Sequence, residues 1–447
     1  MIKRLFTGLL LATTSFLLLT SCKSSGQAQQ STGIGDDIIN VKEVERIEKV
    51  LASDDMRGRR AFTPDIDKAA DFIAAEFKSA GLGTLNNNGS YKQEFAMVKT
   101  KHVTSSANLD GAVIDPKNIL VITCQPKLKI TELSGYEKVM IKAGMTLQNE
   151  ARKYARSNKN LLVLVDKSYA NSFGNLSRLR STLFKTENTV VFVLADAEPS
   201  SFIIESTHEI TEQKLANVVA VLPGKSLPSG KAGLKNEYVV FSGHYDHLGV
   251  GKPVNGDSIY NGANDDAAGV TGVIMLAKYF KQQNNNERTL IFAALTAEEV
   301  GGFGSQYFSR QFNPDKVVAM FNIEMIGTES KWGKNSAYIT GYDKTNMGAI
   351  MAKDLEGTGF TFHPDPYPAQ QLFYRSDNAT LARLGVPAHT ISTSKMDVEP
   401  HYHKLTDHVE TLDMENMTAI IKAIALSAKS IIAGTATPSR VKVEDLR

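Results

Sequence analysis

The chain has 447 residues, with 50 Lys and Arg against 48 Asp and Glu and a formal net charge of +2. This length exceeds what one hydrophobic core usually supports, which leaves one large domain with an insertion or two domains. Near-neutral charge without a basic block excludes an electrostatic nucleic-acid binder.

At the amino terminus, Lys3 and Arg4 precede an apolar stretch from Leu5 to Leu19. It is too short and too early for a spanning helix but suits the apolar part of a signal peptide. It closes with Leu19-Thr20-Ser21-Cys22, which resembles the bacterial lipobox. That resemblance implies a signal peptide over 1–22, a lipidated Cys22 as mature first residue, and anchoring at the periplasmic or cell-surface face of the envelope. The alternative is an ordinary secretory signal with an incidental cysteine. Residues 23–40 read as a polar, flexible tether. Cys124 is then the single cysteine of the mature chain, so no intramolecular disulfide forms. Its place in "NILVITC" reads as a buried small hydrophobe.

Thr63-Pro64-Asp65 followed by "IDKAADFIAAEFKSAGLG" predicts a helix, with Thr63 able to cap, Pro64 in the first turn and Gly81 able to end it. Ile66, Ala69, Ala70, Ile73, Ala74 and Phe77 form its apolar face. From 102 to 214, "NILVIT", "TLQNEARKYARS", "NLLVLVD" and "NTVVFVLAD" read as an inserted α/β subdomain, because no charged residues end comparable strands there. It interrupts a catalytic domain made of 41–101 and 215–435. In the second part, "NVVAVLPG", "EYVVFSGHYD", "TLIFAALTAEE" and "VVAMFNIEMIG" read as strands buried on both faces, with helices at "DDAAGVTGVIMLAKYFKQQ" and "DNATLARLG". The predicted fold is α/β, a mostly parallel mixed sheet sandwiched by helices, with the smaller subdomain inserted.

Ligands gather at the carboxyl ends of strands in such sheets. Those ends carry His244 and Asp246, then Asp265 and Asp266 in "NGANDDAAG", then Glu298 and Glu299, then Glu324. Near the carboxyl terminus "PHYHKLTDH" adds His401, His403, Asp407 and His408. Imidazole and carboxylate without thiolate suit zinc in a catalytic site, and the surplus of carboxylates points to two ions sharing a bridging ligand. Asp266 reads as a helix cap, and His247, His363, His389 and His408 as surface or supporting residues. Trp332 and "DPYP" (365–368) are candidates for a pocket wall.

"GHYDHLG", "NGANDDAAG", "TAEEVGGFGS", "FNIEMIG" and "HYHKLTD", in this order, resemble the co-catalytic zinc aminopeptidases of the MH clan. The clan includes bacterial secreted aminopeptidases, glutamate carboxypeptidase II and glutaminyl cyclases. The resemblance covers roughly 42–100 and 215–425, including "ASDDMRGRRAFTP" and "SYKQEF". It implies that His244, Asp265 and Glu324 bind one zinc and that Asp265, Glu299 and His403 bind the other. Glu298 would be the general base, Asp246 would fix the His244 tautomer, and Tyr402 would polarise the substrate carbonyl. The insertion resembles a protease-associated domain in position and strand content.

Two departures stand out. Glu324 occupies a position where aspartate is usual, and "YRSDNATL" lacks the histidine that often follows Ser-Asp. The implied activity is a zinc exopeptidase that removes amino-terminal residues from peptides. The alternatives are glutaminyl cyclase-like, dipeptidase or carboxypeptidase chemistry on the same frame, or a binding relative without catalysis.

Overall fold

Runs of β-branched and aromatic residues build one extended sheet in the computed structural model, which describes residues 37–85, 88–180, 182–225 and 233–446. The signal peptide, Cys22 and most of the tether lie outside the described residues. Among the described residues, no helix is long and apolar enough to cross a membrane.

The strands that matter for the site are β1 (Lys92–Leu109), β2 (Phe202–Leu222), β3 (Tyr238–His244), β4 (Thr289–Leu295), β5 (Val317–Ile323), β6 (Ser336–Ile339), β7 (Thr361–Pro364) and β8 (Ala388–Ser392). Their spatial order is β7-β6-β8-β5-β3-β4-β2-β1. The central strands β4, β3, β5 and β8 run parallel, with Phe241 beside both Phe292 and Phe321. Alternate residues serve opposite faces of these strands. Val239, Phe241, Leu290 and Phe292 face one core, together with the helices Val41–Leu51, Pro64–Ser79, Ala268–Gln283 and Met414–Ser427. Val240, Ile291, Ala293 and Met320 face the other core, against Phe308, Leu381 and Ala382 of two short helices. The sheet is therefore α/β and covered on both sides, as the unbroken apolar runs predict.

"NVVAVLPG" differs from its expected role. It is the last part of the long strand β2, which pairs antiparallel with β4 and with β1. It enters from a hairpin-like ribbon rather than a helical crossover, and apolar content alone does not distinguish these cases. Between β1 and β2, a second sheet joins Ile119–Ile122, Val190–Leu194, Leu161–Val165 and Glu137–Ile141, with a helix at Leu147–Ala155. Positions 102 and 214 both fall inside the continuous β1–β2 ribbon, which carries a bulge at Thr207/His208. Cys124 is half-buried, with Sγ 3.6 Å from the Phe184 carbonyl, and burial pushes its thiol up.

The helix Pro64–Ser79 buries Ile66, Ala69, Ala70, Ile73 and Phe77 as expected, with Ala74 partly buried. Thr63 occupies the cap position without capping. Its hydroxyl donates instead to the Arg60 carbonyl at 2.8 Å.

Arg59 ties this amino-terminal layer to the site. Its side chain is fully buried, and it donates to the carbonyls of Leu51 (2.6 Å), Tyr245 (2.8 Å), Asn261 (2.6 Å) and Gly262 (2.9 Å). Burial pulls its pKa down, and Glu48, Asp407 and Asp246 oppose that pull. The fork thus gives four buried backbone oxygens a donor, of which Gly262 also accepts the Ala267 amide at 3.2 Å. Arg59→Met would remove these charge-assisted bonds from the interior. It is expected to cost about 3 kcal/mol of unfolding free energy, read as a lowered urea midpoint with unchanged slope.

Candidate functional site

Parallel β3, β4 and β5 end at one edge of the sheet, and that is where the polar residues converge. His244 is the last residue of β3, and Glu324 directly follows β5. Asp265 and Asp266 lie in the irregular turn that leads into the helix Ala268–Gln283. Gly262 makes that turn possible: its φ is +57°, and a Cβ there would overlap the Asp265 carbonyl and the His247 ring.

The glutamate pair is placed differently from a strand end. β4 stops at Leu295, Ala297 takes a left-handed conformation (φ +58°), and Glu298 and Glu299 sit in the turn that follows. A bend, rather than alternation along extended backbone, separates their side chains. His403 also sits at positive φ (+55°) in the carboxyl-terminal loop.

Asp265 is at the centre of the cluster. Its Oδ1 lies 3.2 Å from His244 Nε2, and its Oδ2 lies 3.2 Å from His403 Nε2 and 4.0 Å from His247 Nδ1. Glu299 Oε1 is 2.9 Å from His247 Nδ1, and its Oε2 is 3.2 Å from His403 Nε2. His244, Asp265 and Glu324 form one group of converging ligand atoms, and His247, Asp265 and Glu299 form a second. The structure therefore brings together the predicted ligands His244, Asp265, Glu299, Glu324 and His403.

It also corrects His247, which is buried among these ligands and is no surface residue. The other histidines stay outside. His401 Nδ1 meets Thr406 Oγ1 at 2.9 Å, and His408 Nε2 lies 3.5 Å from Asp257. His363 stacks on Trp332, and His389 is a satisfied core residue between Thr340 and Thr345.

Asp246 has a different task from the expected one. The nearest partner of His244 Nδ1 is the Asp246 carbonyl, at 3.1 Å, while the carboxylate stands 3.8 Å away. That carboxylate instead accepts the amides of Glu298 (2.9 Å) and Glu299 (3.3 Å), holding the glutamate turn. Asp266 accepts the Gly269 amide as a cap would, but it also takes those of His244 and Met325, joining β3 to the residue after Glu324. Asp407 accepts the amides of Asn264 (2.8 Å) and Asp265 (3.0 Å). The sequence offered no signal for these amide contacts, because they depend on folded proximity.

Several buried polar atoms here have no hydrogen-bond partner: His244 Nε2, both ring nitrogens of His247, Glu299 Oε1, Glu324 Oε2 and both oxygens of Asp377. Unpaired buried polar atoms are costly, and such a set aimed at common points fits cations better than hydrogen bonds. The short Glu299–His247 distance lacks hydrogen-bond geometry, as expected when two lone pairs point at a shared centre.

Electrostatics agree with that fit. Burial, reinforced by Asp265, pushes Glu324 up to about 7, and burial with Glu324, Asp377 and Glu299 raises Glu298 well above the carboxylate range. Although burial opposes it, hydrogen bonding to His244 and His403 holds Asp265 far below its usual value. Asp265 and Glu299 raise His403 to about 10. Tyr402 stacks on His403 with ring centres 4.0 Å apart, and burial pushes its hydroxyl up to about 12.

The geometry gathers two groups of candidate metal ligands at the carboxyl edge of an α/β sheet. Residues 217–428 match the family model described as peptidase family M28. A protein of Trichophyton verrucosum described as a "probable leucine aminopeptidase" is 27% identical over 211 residues, 45% of this chain and 53% of that protein. A "probable zinc metalloprotease" of Pyricularia oryzae is 34% identical over 119 residues, 26% of this chain and 22% of that protein. The matches thus span about half, or less, of the curated relatives' length. The aminopeptidase from Aneurinibacillus sp. strain AM-1 shares the fold, with a TM-score of 0.52 at 17% identity over 92% of this chain and 98% of that one. A zinc aminopeptidase from Bacillus subtilis does too, with a TM-score of 0.50 at 15% identity over 92% and 99%.

His247 provides a direct check on the metal centre. His247→Ala is expected to weaken zinc binding by at least about tenfold, as measured by titration against a chromophoric chelator.

Proposed function

We propose that this chain is a two-zinc exopeptidase that releases amino-terminal residues from peptides. The observation that carries the reading is Asp265, whose two carboxylate oxygens serve two separate groups of ligand atoms. In this reading His244, Asp265 and Glu324 hold one ion, and Asp265, Glu299 and His403, with His247 beside them, hold the other. Bound zinc supplies Lewis acidity towards the scissile carbonyl and lowers the pKa of water.

The remaining work falls to side chains of this chain. Glu298 takes a proton from the attacking water as its oxygen bonds to the carbonyl carbon. It returns that proton to the leaving amine nitrogen as the carbon–nitrogen bond breaks. The raised proton affinity of Glu298 suits both halves of this transfer. Asp246 is a positioning residue, because its grip on the Glu298 and Glu299 amides sets where both carboxylates point. Tyr402, at the cavity wall beside Glu324, is placed for contact with the substrate carbonyl. The backbone amide of Glu324 donates to the Ile391 carbonyl at 3.1 Å, which ties this residue to β8.

Glu298→Ala should fold, retain its metal and lose about 10²- to 10⁴-fold in kcat on aminoacyl anilides. Unchanged hydrolysis would remove the proton-transfer role. We place the enzyme on the cell envelope through Cys22. Cys22→Ser is expected to move it from the membrane to the soluble fraction on cell fractionation.

A further inference from the structure

A small cavity opens beside the metal centre, bounded by Glu324, Tyr338, Arg375, Met396 and Tyr402, among others. Its volume is about 40 Å³, room for roughly three waters. That is room for a carboxylate group beside the cluster. Arg375 is the cation on this wall, and among the described residues it has no carboxylate partner. Its guanidinium makes only two long contacts, 3.3 Å to Gln370 Oε1 and 3.4 Å to the Tyr402 hydroxyl. The acidic group on the same wall, Glu324, belongs to the metal cluster, so its charge is directed at the ion in the reading above.

This leaves a guanidinium fork at the mouth of a carboxylate-sized space, next to the place where a scissile carbonyl would lie. Arginine forks bind planar carboxylates with two parallel hydrogen bonds. Carboxylates crowd the site, and among the described residues lining the cavity Arg375 is the cationic side chain.

We propose that Arg375 forms a subsite for a substrate carboxylate, so that the enzyme prefers short peptides carrying a negative charge near the cleaved bond. This rests on the peptidase reading above and names its substrate class. The carboxylate has two possible sources: an acidic side chain, or the free carboxyl terminus of a dipeptide.

The test compares two substrate pairs on the zinc-loaded enzyme: aspartyl against asparaginyl anilide, and a free dipeptide against its carboxyl-terminal amide. In at least one pair the carboxylate form should have a kcat/KM about 10- to 100-fold higher, the usual reach of a charge-assisted bidentate contact. Arg375→Ala should bring that ratio close to one, and Arg375→Lys should keep part of it. The pair that responds identifies the source of the carboxylate. Equal rates within both wild-type pairs, or a preference that survives Arg375→Ala, would overturn the subsite.

Calorimetric binding of aspartate against asparagine separates this outcome from failure of the peptidase reading. If no peptide is cleaved, yet aspartate binds more tightly and loses that advantage in Arg375→Ala, the activity falls and the subsite stands. If peptides are cleaved but neither substrate pair favours the carboxylate form, and aspartate and asparagine bind alike, the subsite falls alone.

Discussion

Buried negative charge at one edge of the sheet is the constraint on which the rest of the structure depends. Asp246, Asp265, Asp266, Glu299, Glu324, Asp377 and Asp407 are withdrawn from water within a small volume, and the imidazoles of His244, His247 and His403 do not balance them. In a medium of low dielectric, like charges at such spacing raise one another's proton affinities. The fold divides them into two kinds. Asp246, Asp266 and Asp407 are occupied by backbone amides, whereas Asp265, Glu299 and Glu324 keep oxygen atoms for other partners.

That division also solves a mechanical problem. The ligand-bearing residues sit on turns, which are the least restrained parts of a chain. Each turn is held by a carboxylate from a different segment. Asp246 after β3 holds the glutamate turn after β4, and Asp407 in the distant carboxyl-terminal loop holds the Asp265 turn. Asp266 links the end of β3 to the residue following Glu324. Arg59 adds the opposite contact, a buried cation gathering the carbonyls of the same loops. The site is thus a set of mutual restraints in which each ligand's position depends on several remote segments.

The cavity beside the site follows from the same arrangement. Tyr402 precedes His403, so the positive φ that turns His403 towards Asp265 lets the tyrosine ring stack on the imidazole and form a wall. Arg375 reaches that wall from the turn before Asp377. Ser376, between them, accepts a hydrogen bond from Asn322 at 2.6 Å and so fixes this turn against β5. A ligand-bearing strand and a candidate specificity residue therefore share one buried polar network.

Much of this was legible in the residues. Apolar runs at "EYVVFSGH", "TLIFAAL" and "VVAMFNI" suffice to predict β3, β4 and β5, because strands covered on both faces need no polar alternation. Polar residues at the ends of those runs mark the site, since parallel strands bring their carboxyl ends to one edge. The role of His247 was hidden, because one residue after Asp246 it is equally compatible with surface or interior. Asp246 meets the far nitrogen of His244 through its carbonyl, at 3.1 Å, rather than through its carboxylate, at 3.8 Å, a choice of group that residue identity does not reveal. The antiparallel entry of β2 was equally hidden, since pairing direction leaves no mark in a fully apolar strand.

The sequence by itself determined which elements form and which chemical groups crowd the carboxyl edge of the sheet, because periodicity and residue type are local properties. Tertiary structure alone decided which nitrogen faces which oxygen, which aspartates hold backbone and which remain open to a cation, and where an unpaired arginine meets the cavity. Those outcomes rest on contacts between segments far apart in the chain, such as Asp407 with Asp265 or Arg375 with Tyr402. Their energies depend on distances of a few tenths of an ångström that only the packed chain sets.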